Sequence, residues 1–159
     1  MFLSVHNEVY ELVMNDLVIA KSTLYQKELT LTIVKEGAVL FETGSHRISG
    51  FLGAIDEFGA ELEGASVADR VVGKAIALLC VYAKIRCVYA EVLSRKAKVV
   101  LEENGVPCEW KELVDTILDL NRSDVCPFEK AAAGISDPEK AYAAFKALLQ
   151  SFKAGERGE

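Results

Sequence analysis

The chain has 159 residues, 51% of them apolar, and a formal charge of −6. That is one domain's length with enough apolar side chains for its own core, and the absence of any Lys/Arg run gives the phosphates of nucleic acid or of an anionic membrane nothing to bind. No apolar stretch reaches the roughly 20 residues that span a bilayer, and the opening MFLSVHNEVYEL has neither a basic start nor a small-residue cleavage site, so the expectation is a single cytoplasmic domain over 1–159.

Residues 9–28, VYELVMNDLVIAKSTLYQKE, set Leu12, Val13, Leu17 and Leu24 at helical spacing with charges between them. They predict an amphipathic helix within an N-terminal helical segment, 1–28. LTLTIVKEGAVLFET then holds two β-rich runs, Leu29 to Val34 and Ala38 to Thr43, around Lys35-Glu36-Gly37. Glycine supplies the positive φ that a tight turn needs, so the stretch predicts a hairpin. GSHRISGFLGAIDEFGAELEGA reads as a loop and a short helix around Phe51 to Phe58.

SVADRVVGKAIALLCVYA follows. Ser66 and Asp69 fit a capping box, with a run of Val, Ala, Ile and Leu behind them, and predict a buried helix starting near Asp69. Gly73 would then lie inside a helix at a cost of about 1 kcal/mol relative to alanine, which points to close packing on a neighbour. The Gly73-Lys74 pair is no phosphate-binding loop, because the first glycine of that motif is missing and Ala75 stands where it needs Ser or Thr.

CVYAEVLS (87–94) is strand-like, RKAKVVLEENG predicts a helix closed by Gly105, and VPCEW a second strand; together they form a β-α-β unit with a parallel crossover. KELVDTILDLN reads as a further helix. SDPEKAYAAFKALLQSFK predicts the last one, with Ser136 or Asp137 as cap and Pro138 in its first turn, before a frayed tail at 154–159. A hairpin, a buried helix and then alternating strands and helices imply an α/β domain of three layers, α/β/α, around one mixed sheet. Trp110 and the phenylalanines read as core. Of Cys80, Cys87, Cys108 and Cys126, all but Cys126 also read as core, since a free cysteine packs like a small hydrophobe.

From about Leu17 to Leu149 the chain resembles a prokaryotic family of uncharacterised proteins with a cytidine-deaminase-like fold. The resemblance is carried by LTLTIVKEGAVLFE, VADRVVGKAIALL, VYAEVLS and CPFEKA, in that order. It implies a fold more than an activity. Deaminases of that fold hold zinc through an H-x-E motif at one helix start and P-C-x-x-C at the next. Here VADRVV offers only Asp69 as the acid and an apolar residue at the ligand place, while CPFE offers Cys126 with Glu129 in place of the second cysteine. A catalytic zinc needs three protein ligands, so neither a metal nor another cofactor is expected.

Cys126 stands before Pro127 at a helix start, where the dipole favours a thiolate, whereas Glu129 one turn on opposes it. Three readings stay open: a buried cap, a reactive or ligand-contacting thiol, and a metal ligand. Taken with the resemblance, the expected site is a pocket between the helix starts at Asp69 and Cys126 that receives a nucleotide-like or other small anionic ligand. Any catalysis would fall to Cys126, Glu129 and Asp69. Arg70 and Lys74, read four apart on one helix, would face Glu129, Asp124 or a ligand phosphate, and Ser45, His46 and Arg47 would form a lid. The alternatives are a non-catalytic regulatory or homodimeric domain and a thiol redox sensor.

Overall fold

The structure, a computed structural model, describes residues 2–45, 48–119 and 121–157. Twelve elements occur among them. Helix α1 (Phe2–Gln26) precedes the strands β1 (Leu31–Lys35) and β2 (Ala38–Thr43), then α2 (Ser49–Phe58) and a 3₁₀ turn (Gly59–Leu62). Strand β3 (Ser66–Val72), α3 (Lys74–Tyr82), β4 (Cys87–Ser94), α4 (Arg95–Glu103) and β5 (Cys108–Val114) alternate, and α5 (Pro127–Ala132) and α6 (Pro138–Arg157) complete the set.

The hairpin forms as its sequence predicts. Its turn, Glu36-Gly37, has φ of 51° and 81°, the geometry of a two-residue turn matched to strand twist. A non-glycine residue with positive φ needs support, and Asp16 of α1 gives it: its two carboxylate oxygens accept the amides of Glu36 at 2.9 Å and Gly37 at 2.8 Å. The same contact ties the first helix to the first hairpin.

The five strands form one mixed sheet in the order β2-β1-β3-β4-β5. β1 lies antiparallel to β2 and β3, while β3, β4 and β5 run parallel through the crossovers that α3 and α4 provide. Helix α1 covers one face, where Leu17, Ala20 and Leu24 pack on Val34, Ala68, Cys87 and Tyr89. The remaining helices cover the other face around the larger core, which includes Phe51, Leu79, Leu93, Leu101, Phe128 and Phe145. The domain is thus the expected three-layer α/β fold.

Two elements differ from expectation. SVADRVV is the central strand β3, not the start of a helix, and helix α3 begins only at Lys74 after Gly73. Both faces of a central parallel strand are buried, so its residues show no period of two, and an apolar run of this kind does not distinguish strand from helix. KELV likewise continues β5 along the sheet edge, and the chain then crosses to Cys126 as a loop with one isolated bridge, Leu118 to Val125. Trp110, on that edge, is 39% exposed under the Lys98 ammonium and is not core. Cys80 and Cys87 are buried, whereas Cys108 is only half-buried. Helix α6 starts as predicted, with Asp137 accepting the Glu139 amide, and remains helical to Arg157.

Candidate ligand-binding site

Where β1 and β3 run antiparallel, Leu31 lies beside Asp69. The first residues of β1 therefore meet the carboxyl end of β3 at the place where the sheet changes from antiparallel to parallel. In open α/β sheets the carboxyl ends of the strands are the usual side for a ligand. A cavity of about 190 Å³ opens there. Its wall is mostly apolar, including Leu31, Ile48, Val71, Ile76, Ile117 and Phe128, and its polar members are Thr30, Asp69, Arg70, Cys126 and Glu129.

Asp69 reaches this wall from a strand, not from a helix cap. It still lines the cavity, but in a different environment: its Oδ1 accepts the Val71 amide at 3.1 Å, and the residue is 9% exposed. Among the described residues no cation pairs with it. Burial raises its pKa to about 7 against the opposing pull of the Val71 and Arg70 amides. Burying a charge without a partner favours the neutral form, which accounts for the direction.

Glu129, on the first turn of α5, sends its carboxylate across to α3. Oε2 accepts the Lys74 amide and Oε1 the Ala75 amide, each at 3.0 Å. It thereby caps α3 from another helix, satisfying two of the four amides that a helix start leaves open and placing negative charge at the positive end of its dipole. Gly73 is the N-cap residue that permits this approach, because a Cβ there would lie 2.1 Å from Glu129 Oε1. The glycine is explained by close packing, as expected, though at a strand-to-helix junction and not inside a helix. Burial raises the Glu129 pKa, while the Ala75 and Lys74 amides, Lys96 and Lys74 draw it down.

Cys126 occupies the N-cap position of α5 at the cavity wall, 9% exposed, and its thiol makes no capping hydrogen bond. Of the three readings, the buried cap agrees with this position, and the thiol itself does not close the helix start. Arg70 and Lys74 do not share a helix. The Arg70 guanidinium turns to the α1 side, where it donates to the carbonyls of Leu29 and Leu24, pairs with Glu91 at 3.3 Å and lies over the Tyr25 ring. The Lys74 ammonium points to the Ala133 carbonyl, and Asp124 pairs with Lys130 on the surface. Ser45 is exposed and lies outside the cavity wall, its carbonyl accepting from Thr30 Oγ1. His46 and Arg47 lie outside the described residues.

The donor set does not suit a zinc ion. Among the described residues no three His, Cys, Asp or Glu side chains converge as ligands, and the Glu129 carboxylate is engaged by α3. The sequence reading missed the interhelical cap itself. Its signal was present: a glycine before an apolar helix with no Ser, Thr, Asp or Asn at the cap, so the cap has to come from elsewhere.

The model of the TM1506 family, a domain of unknown function designated DUF1893, matches residues 19–149. The chain belongs to the DUF1893 family. The crystal structure of the DUF1893 family protein TM1506 from Thermotoga maritima is similar at 28% identity, with a TM-score of 0.78 over 84% of this chain and 90% of that one. Two more distant structures align in part. The dCMP deaminase of cyanophage S-TIM5 has 15% identity and a TM-score of 0.44 over 65% of this chain and 98% of its own. RibD of Acinetobacter baumannii has 16% and 0.45 over 62% and 36%. No curated protein matches the DUF1893 chain. Among the described residues no helix of this DUF1893 protein is long and apolar enough to cross a membrane.

Proposed function

We propose that this DUF1893 protein binds a small molecule in the cavity at the carboxyl end of β3. The observation that carries this reading is the composition of the wall: a concave, largely apolar surface built from separate segments, with a few polar side chains converging on it, is the usual form of a small-molecule site. The geometry also narrows the expected anionic ligand. The first two α3 amides, which would hold a phosphate, are taken by Glu129, and the Arg70 guanidinium is taken by Leu24, Leu29 and Glu91. The ligand's apolar body, not an anionic group, therefore makes the principal contact.

The test is amide NMR with a library of small aromatic fragments, run on the wild type and on Val71→Trp. Val71 is exposed at the cavity rim, so the indole should fill the mouth with little effect on folding. Fragments that bind should move the Leu31, Ile76 and Phe128 amides in the wild type, slow maleimide labelling of Cys126, and lose both effects in Val71→Trp. A wild-type spectrum unmoved by every fragment would remove the reading.

A further inference from the structure

The cavity reading leaves open which ligand chemistry the wall selects, and the inference drawn here rests on that reading. We propose that Asp69 makes the cavity selective for a small apolar ligand carrying an amidinium or guanidinium group, with the paired N–H donors on the Asp69 carboxylate. Most polar groups on the wall are already engaged. Glu129 faces two amides of α3, and the Arg70 guanidinium lies on the far face of the sheet against α1 and Glu91. Thr30 Oγ1 donates to the carbonyls of Thr43 and Ser45.

Asp69 differs from all of these. Its carboxylate accepts from backbone amides of its own strand, those of Val71 and Arg70. A carboxylate has about four lone-pair sites, so two amides leave room for a further donor pair. Bidentate pairing with a planar, charged donor is the arrangement that best compensates a buried carboxylate.

Among the described residues the other titratable groups around it do not supply that compensation. The nearby Cys80 thiol on α3 is held neutral, its pKa raised by burial first and then by the Asp69 charge. Cys126 and Glu129 of α5 share the cavity and bring no positive charge, and the Lys74 ammonium lies toward Ala133. Leu31, which lies beside Asp69, and the other apolar wall residues Ile48 and Ile76 fit an apolar body behind the cation.

Three probes of one shape decide the matter: benzamidine, benzamide and benzoate, titrated into the full chain by NMR and calorimetry. At about pH 8 benzamidine should bind at least about tenfold tighter than benzamide, and benzoate should bind worst. The benzamidine advantage should shrink at about pH 5, where Asp69 is protonated, and Asp69→Asn should bring benzamidine down to the level of benzamide. Retained benzamide shifts in that variant would show its cavity intact. Should the variant fail to fold, the wild-type pH comparison decides alone. Equal binding of benzamidine and benzamide would overturn the amidinium assignment and leave the cavity reading standing. If none of the three moves the cavity amides, the amidinium assignment falls, and the cavity reading falls with it only when every fragment of the library also leaves those amides unmoved.

Discussion

The buried Asp69 carboxyl couples the stability of the fold to pH. Its pKa is about 7 in the folded protein against 3.8 for an unperturbed aspartate. The folded state therefore binds more protons than the unfolded state between those values, and stability falls as pH rises through that window. The difference corresponds to roughly 4 kcal/mol across about pH 4 to 7. Asp69→Asn, neutral at every pH, should remove that slope and be the more stable form above about pH 7. Urea unfolding of both proteins at stepped pH measures it, and parallel curves would contradict the assignment. Cys126 shows what a residue-level reading can and cannot reach. Its place at a helix start beside Pro127 was legible, because proline at the first helical position marks that start. The partner across the gap was not, because Glu129 contacts residues 54 and 55 positions away in the chain.

At the scale of elements, the contact between Gly73, α3 and Glu129 holds α5 against α3. Glu129→Ala would leave two helix-start amides without their acceptor and should destabilise by about 2–4 kcal/mol. Gly73→Ala should be comparably damaging, since the added methyl meets the Glu129 carboxylate, and Ile117 at 2.9 Å besides. The two changes should be strongly non-additive: with the carboxylate gone, the glycine substitution loses its main clash. Chemical denaturation of the double-mutant cycle checks this, and simple additivity would mean that the two residues act independently. The same junction explains the misread strand. Ser66 and Asp69 imitate a capping box, yet Val67, Val71 and Val72 are β-branched and Gly73 interrupts the run, signals that favour a strand ending there. The hairpin was legible because Gly37 and the flanking β-rich runs are local. The exit of β5 was not, because an edge strand mixes exposed and half-buried positions without a clean alternation.

For the molecule as a whole, the two faces of the sheet are unequally supported. Among the described residues five helices share the larger core, while α1 alone closes the other face, in a cluster of seven buried residues that includes its own Leu17, Ala20 and Leu24. Regions with fewer buried contacts open at lower free energy. Amides in α1 from Leu17 to Leu24 should therefore exchange through a sub-global opening below that of α3, and Leu24→Ala should lower the α1 opening further, by about 2–5 kcal/mol. Phe145→Ala should lower protection in both faces together. Native-state hydrogen exchange under increasing denaturant distinguishes the cases; α1 and α3 amides that merge onto one isotherm in the wild type would show a single cooperative unit. The layer order was legible from the succession of hairpin, helix and β-α-β unit, whereas the sharing of helices between faces depends on long-range pairing that no local pattern encodes. The carboxylate that bridges α5 to α3 also acts as a built-in competitor. Being tethered, it faces the α3 amides at an effective concentration on the order of millimolar or higher, so any anion in solution has to outcompete a ligand that the chain carries with it wherever it goes.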